Sequence, residues 1–424
     1  MSATPRALGR SLRPTLLAAA IAVLAYLAAG LGSRGRVPAT FPLYATSLAG
    51  GLLACWLVAR RLAPRADPFL LPPAGVLVGL GFAEIFRISG GLAAEQATWI
   101  WVGVAAFAAT LWIVHDHRQL DAYTYLIGAA ALAMLLLPAL PGIGRTINGA
   151  RLWVSLGPIG FQPAEVAKIL VVVFLASALE LRREVLAEGA GPLGLPPLRH
   201  LAPVVVAWGA SLAVLFLQRD MGASLLFFSI FVAMLWVATG RASYLALGAG
   251  LFAVGATVGW FAFDHVRLRV DVWLHALDPA RVRDLGFGQL AQAQFGMATG
   301  GLSGSGLGMG SPKLVPFAAT DFIFAAIGEE LGLLGTTAVL LLFVVLVGRG
   351  LRTALAARDG FGKLLATGLS AILAIQAFVI VGGVTRVIPL TGVTLPFVSY
   401  GGSSLVANFV LLALLVRVSS DGAR

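Results

Sequence analysis

Twelve apolar runs of membrane length recur along the chain. They lie near 15–32, 41–59, 69–86, 97–114, 122–141, 165–181, 201–217, 222–239, 243–263, 322–348, 362–384 and 402–418. A run of about 20 apolar residues spans a hydrocarbon core of about 30 Å, and only as a helix can it satisfy its own backbone there. The pattern predicts an all-α, polytopic membrane protein with about 12 transmembrane helices. Met1–Arg13 is polar and basic, with no convincing small-residue cleavage site after it, and reads as a tail.

Three connections break the rhythm of short loops. Pro141–Pro163 is Gly-rich and carries Arg145, Arg151 and Trp153. Glu184–Pro197 is a Gly/Pro-rich linker. Asp264–Thr320 is the longest, with Gln289, Gln292 and Gln294, then GMATGGLSGSGLGMG, then Lys313. A structureless loop that long is usually functional, and roughly Phe287–Ala298 is expected to form an amphipathic or re-entrant helix. The glycines follow no strand, which argues against a dinucleotide fold.

Composition agrees with the pattern. The chain is 59% hydrophobic and 12% charged, with mean hydropathy +0.92. A soluble domain carries about twice that share of charge. The net charge of +11 is scattered over short loops, so it reads as a topology signal and not as a nucleic-acid surface. Just over half of the 30 Lys and Arg residues fall inside if the N-terminus is inside. Several of the rest lie in the one long outer loop, which the positive-inside rule discounts. Both termini are therefore expected in the cytoplasm. The single cysteine, Cys55, permits no disulfide within the chain. The five histidines do not cluster, and His115 and His117 beside Arg118 read as a wetted loop end.

Against this background a few polar residues stand out. Asp321 opens the apolar run 322–348, and Glu329 and Glu330 sit inside it. Carboxylates at such depth are costly unless paired or hydrated, and so mark a site by default, although Asp321 could also simply cap its helix. Glu165 and Lys168, three apart at the start of another run, share a helix face, as a structural ion pair or as an anion-binding lysine held by its partner. Gln218 and Asp220 belong to QRDMG, between two runs. Ser399, Tyr400, Ser403 and Ser404 lie in PLTGVTLPFVSYGGSSL (Pro389–Leu405), whose prolines and glycines predict a broken helix with exposed backbone donors. Most of these fall on the expected outer side. Several cations around a lone carboxylate suit a diphosphate-bearing lipid: the cations bind the leaving group, and the carboxylate takes a proton from an attacking hydroxyl.

Five stretches, in order, resemble the SEDS family (shape, elongation, division and sporulation) typified by RodA and FtsW. They are NGARLWVSLGPIGFQPAEVAK (Asn148–Lys168), QRDMGASL (Gln218–Leu225), GGLSGSGLG (Gly300–Gly308), ATDFIFAAIGEELGLLG (Ala319–Gly335) and PLTGVTLPFVSYGGSS (Pro389–Ser404). The resemblance implies a peptidoglycan glycosyltransferase that polymerises lipid II on the outer face of the bacterial cytoplasmic membrane. It implies a class B penicillin-binding protein as partner, beside lipid II, the nascent strand and membrane lipid. It also implies Asp321 as the catalytic residue, an important Trp153, and Glu165 with Lys168 as the family's E-x-x-K pair. Arg145, Arg151, Gln218, Asp220, Gln292, Lys313, Ser399, Tyr400 and Ser403 complete the expected substrate-binding set. No cofactor is demanded; Mg²⁺ or Mn²⁺ on the diphosphate is compatible, with no Asp/Glu cluster requiring it. The chain departs from the family in having about two more helices, so that residues 1–64 read as a tail and an extra helix pair ahead of a 65–424 core. It also lacks the Glu and His often found before TDF, reads QRDMG for QPDLG, and has Arg386 where glycine is common. The rival reading is a lipid II flippase, although no matching pair of broken helices in two halves is legible.

Overall fold

A computed structural model describes residues 5–147, 150–156, 159–188, 205–206, 208–210, 212–213 and 220–423. Among them, ten helices are long and apolar enough to cross a membrane, from Leu12–Arg34 to Gly402–Gly422. Each coincides with a predicted run. The sixth run, 165–181, forms the helix Pro163–Glu180, of similar length, which carries Glu165, Lys168 and Glu180. The seventh, 201–217, lies largely outside the described residues. Among the described residues ten spans are found, and the exact count of twelve is not confirmed.

The helices differ sharply in how much they bury. In Leu71–Ile88 and Gly402–Gly422, 78% of the most apolar window is inside the protein, and in Gly360–Val384, 72%. For His117–Ala139 and Ala242–Ala262 the share is 11%. The first three form the centre of the bundle, and the last two leave most of their surface outside it. Short polar caps begin three of the spans. Asp359 accepts from the Gly362 N–H at 2.7 Å, Asp220 from Ala223 at 2.9 Å, and Ser89 from Leu92 at 3.4 Å.

The N-terminal pair, Leu12–Arg34 and Phe41–Leu62, is built into this centre. Gly79 approaches Ala22 so closely that a Cβ at Gly79 would lie 2.2 Å from that of Ala22, the small-residue packing that lets membrane helices touch. Tyr26 stands edge-on to Phe86 and Phe82, with ring centroids 4.9 and 5.6 Å apart. Arg417 of the last helix ties the pair in by donating to the Leu62 carbonyl at 2.9 Å, and it also donates to the Leu111 carbonyl of Gly90–Ile113 at 2.8 Å.

Two predicted loops are folded. Three strands, β1 (Gly144–Ile147), β2 (Ala150–Leu156) and β3 (Ile159–Phe161), form an antiparallel sheet in the order β1-β2-β3. Side chains alternate across β2, where Val154 is buried, a period-two pattern too short to register as an element beside the long helical runs. The long segment 264–320 contains two helices, Asp264–His275 and Leu285–Gly300; the second extends the expected Phe287–Ala298. His117 is also not a wetted loop end. It is buried, with Nδ1 2.9 Å from Asp421 and Nε2 2.9 Å from Asp359.

The helix Ile323–Ala356 is interrupted at Gly332, whose φ of 65° leaves the helical range. Its 333–356 portion alone rises about 36 Å, enough to cross a bilayer. The half-helix 323–331 is therefore surplus to the crossing, and it leads directly from Asp321. The Gly-rich loop repairs the break. Leu333 and Leu334 donate to the Gly301 and Leu302 carbonyls at 2.9 and 3.1 Å, while Ser305 and Gly306 donate to those of Glu329 and Glu330 at 3.0 and 2.9 Å. The two glutamates take part through their side chains. Glu330 accepts from Gly308 at 2.6 Å and Gly310 at 3.2 Å, and Glu329 from Ser311 at 2.7 Å. The N-terminal helix presses on the same loop from behind: Gly308, with φ +84°, has no room for a Cβ, which would meet the Ala29 carbonyl oxygen at 2.5 Å. At Gly332 a Cβ would lie 2.3 Å from the Gly304 nitrogen. Gly332→Ala is expected to cost about 1–3 kcal/mol, read as a lowered melting temperature of the purified protein.

Candidate active site

A tight turn over 315–322 delivers the chain from the Gly-rich loop to the half-helix. Within it, Phe317 adopts φ 58°, and Ala318 and Thr320 donate back to Val315 and Phe317 at 3.2 and 3.0 Å. The cap position of the following helix is Phe322, with no side-chain cap bond. Asp321, just before it, is not spent on capping. Two predicted residues hold the backbone ahead of it instead. Ser399 Oγ donates to the Thr320 carbonyl at 2.6 Å, and the Tyr400 N–H donates to that of Ala319 at 2.8 Å. The segment 389–405 thus lies along the turn, and at Gly392 a Cβ would come 3.6 Å from Asp321 Oδ2. The Tyr400 hydroxyl bonds Glu95.

The charge facing Asp321 comes from the helix Asp264–His275. Arg269 donates through Nη1 to the Leu390 carbonyl at 2.8 Å, and its charge acts on both Asp220 and Asp321. Burial pushes the Asp321 carboxyl up to about 6, while Arg269 and a bond from Thr320 pull it the other way. Burial also raises Asp220, against its bond from Ala223 and the charge of Arg269, with Glu165 adding to the rise. Arg269 is lowered by burial, a shift that the two aspartates oppose. Gly222, two residues after Asp220, packs on the same segment: a Cβ there would meet the Thr391 carbonyl oxygen at 2.8 Å.

Behind this group, Lys168 Nζ lies 2.6 Å from Glu165 and donates to Gln376 Oε1 at 3.0 Å. Gln376 in turn donates to the Thr394 carbonyl at 2.8 Å. The buried ion pair expected from the i,i+3 spacing is present, and its cation is committed to the protein. Ser403 Oγ accepts from the Gln162 N–H at 3.0 Å, fixing the start of the Glu165 helix. One segment, 389–405, therefore joins Asp321, Arg269, the Glu165–Lys168 pair and Asp220.

Other predicted residues stand apart from this group. Arg145 and Trp153 face each other across the β1–β2 register; Arg145 is exposed, and Arg151 donates to the Leu140 carbonyl at 2.9 Å. Gln292 and Lys313 are exposed. Gln218 and its neighbour Arg219 lie outside the described residues. The sequence reading passed over Arg269, Gln376 and a buried cluster in which Arg87 pairs with Glu330 at 3.2 Å and donates to the Gly310 carbonyl at 2.6 Å. Glu84, one turn before Arg87, is buried with neither oxygen hydrogen-bonded among the described residues. A charge inside a membrane span is the signal that could have found Glu84 and Arg87.

The donor set around Asp321 suits an anion better than a metal. Its facing charge is a guanidinium, and among the described residues the ligand atoms that converge within 4.8 Å are those of Asp116, His117 and Asp421. The last of these is at the other end of the helix Gly402–Gly422. Removing one member of the Glu165–Lys168 pair strands a buried charge. Lys168→Met alone is expected to lower stability by about 3–5 kcal/mol, and the Glu165→Gln/Lys168→Met double variant by less, both read from thermal melts.

Comparison with known proteins shows the family of the chain. The family model for FtsW/RodA/SpoVE cell cycle proteins matches residues 80–423. The peptidoglycan glycosyltransferase RodA of Mycobacterium tuberculosis is 49% identical over 87% of this chain and 81% of its own. A probable peptidoglycan glycosyltransferase FtsW of Geobacter metallireducens is 34% identical over 84% and 95%. In structure, the chain resembles one from a peptidoglycan synthase complex that coordinates polymerization and crosslinking, with TM-score 0.69, 30% identity, and coverage of 84% of this chain and 98% of that one. It also resembles crystalline RodA of Thermus thermophilus, with TM-score 0.59, 26% identity, and coverage of 84% and 97%. With most of its length matched in sequence and in fold, the chain belongs to the FtsW/RodA/SpoVE family.

Proposed function

We propose that this protein polymerises lipid II into glycan strands, with Asp321 as the general base of an inverting transfer. The chain is a peptidoglycan glycosyltransferase, as its 49% identity to RodA over most of its length establishes. The observation that carries the role of Asp321 is its setting: a partly buried carboxylate that caps no helix and faces a cation, on a turn held by Ser399 and Tyr400. In the proposed step, Asp321 takes the proton of the acceptor sugar's 4-hydroxyl as that oxygen attacks the donor's anomeric carbon. The bond from that carbon to the diphosphate breaks, and its electron pair leaves with the phosphate. One base suffices, because a diphosphate, unlike a sugar alkoxide, leaves without protonation.

Of the predicted substrate-binding residues, Ser399, Ser403, Glu165 and Lys168 are engaged by the protein in ways that support a scaffolding role. Arg145, Arg151, Trp153, Gln292 and Lys313 lie on the sheet or on exposed segments where they could meet a large substrate, and Gln218 belongs with Asp220 in the same proposed set. Mg²⁺ or Mn²⁺ on the substrate's diphosphate would neutralise part of its charge. The protein is a multi-pass protein of the bacterial cytoplasmic membrane. The distribution of basic residues supports cytoplasmic termini and an Asp321 face turned outward. Residues 1–64 are proposed as an added helix pair that braces the Gly-rich loop of the 65–424 core. The likeness to a synthase complex supports a crosslinking partner, a class B penicillin-binding protein.

Purified protein supplied with lipid II, with and without that partner, is expected to make strands, and Asp321→Ala to make none while melting like the wild type. Strands from Asp321→Ala overturn the base assignment. Lipid II crossing vesicles without polymer would establish the flippase instead. The raised Asp321 adds a pH signature. Its working form is the carboxylate, so kcat/KM is expected to hold above about 6 and to fall about tenfold per unit below, measured by polymerisation across pH.

A further inference from the structure

Arg269 has more donors than the fold uses. A guanidinium offers five N–H groups, and among the described residues Arg269 donates to one acceptor, the Leu390 carbonyl, at 2.8 Å. The side chain is half-buried, and it projects from a helix outside the membrane spans toward two carboxylates with which it makes no contact ion pair. A residue needed only to staple the 389–405 segment would be satisfied by the one bond. We propose, resting on the polymerase reading above, that Arg269 is the diphosphate-binding residue of the site and an exchangeable counter-ion of Asp321. Before the donor arrives, its charge helps keep Asp321 ionised. Once the donor diphosphate is in place, the guanidinium turns its free donors to the phosphate oxygens, which suit its planar fork. Asp321 then loses part of the attraction that stabilised its charge and becomes a stronger base as the hydroxyl attacks. The same guanidinium meets the charge that develops on the departing phosphate.

The surroundings favour this exchange. The other charges facing the pair are Asp220, which also draws on Arg269, and Glu165 behind it, already bonded to Lys168. The segment against Asp321 contributes one ionisable side chain, Tyr400, and its hydroxyl is turned to Glu95. The nearby Arg386 is spent on the Trp273 and Leu274 carbonyls at 3.0 and 3.2 Å. Among the described residues close to Asp321, Arg269 is thus the cation with donors to give an incoming anion.

The test compares kcat/KM for lipid II across pH in wild type, Arg269→Gln and Arg269→Lys, with Asp321→Ala as reference. Without the cation, Asp321 protonates more readily, so Arg269→Gln should move the acid limb upward by about half a unit or more. It should also lose about 10²-fold at neutral pH. Arg269→Lys keeps the charge but not the fork, so its limb should stay in place while kcat/KM falls. An Arg269→Gln limb that does not move overturns the proposal and leaves Arg269 a structural staple. If Arg269→Gln does not fold, wild-type kcat/KM from Arg269→Lys overturns it equally. These outcomes presuppose an inactive Asp321→Ala; strands from that variant would instead sink the polymerase base itself.

Discussion

In hydrocarbon no backbone N–H or C=O can be left to water, so every departure from helix inside the bundle must be answered by another piece of chain. This constraint shapes the protein around Gly332 and around residues 389–401. The break at Gly332 frees donors and acceptors, and the Gly-rich loop supplies the missing partners almost one for one. Only glycine fits the close approaches that result, and the N-terminal helix closes the loop from the far side. The extended 389–401 backbone is answered in the same way, by Ser399, Gln376 and Arg269. Both irregular pieces converge on the turn that carries Asp321. The site is therefore made where helix fails, and the rest of the bundle makes that failure tolerable.

Electrostatics then decides what the carboxylate can do. A fully solvated aspartate near pH 4 is a weak base, and one buried without a cation would be protonated and useless at neutral pH. Partial burial against a single guanidinium gives an intermediate result, a group poised near 6. Glu330 shows the contrasting use of a carboxylate. It is fully engaged by two backbone N–H groups and Arg87, so it holds the loop and has nothing left for chemistry.

Much of this was legible in the sequence because charge is rare in apolar runs. Asp321 and the Glu165–Lys168 spacing stood out for that reason, and the prolines and glycines of 389–405 announced irregular backbone. The purpose of Ser399 and Tyr400 was not legible: hydroxyl-bearing residues in a broken segment read equally well as substrate ligands, whereas their hydrogen bonds run to the turn before Asp321. Arg269 was invisible because it sits on a polar surface helix, where an arginine is unremarkable, and its partners lie far away in sequence. Nor did composition reveal the break at Gly332, since nothing distinguishes that glycine from its neighbours until its φ is known. Arg386, with φ 61°, occupies a conformation that favours glycine, and its side chain bonds the Trp273 and Leu274 carbonyls there.

The central claim is that this scaffold turns an ordinary aspartate into a base suited to neutral pH. The most direct measurement is a pH titration of the purified protein by difference infrared spectroscopy, wild type against Asp321→Asn. A carboxyl band that appears in the wild type with a midpoint near 6, and is missing from the variant, is the predicted result. A band assigned to Asp321 with its midpoint near the ordinary aspartate value of about 4 would contradict it.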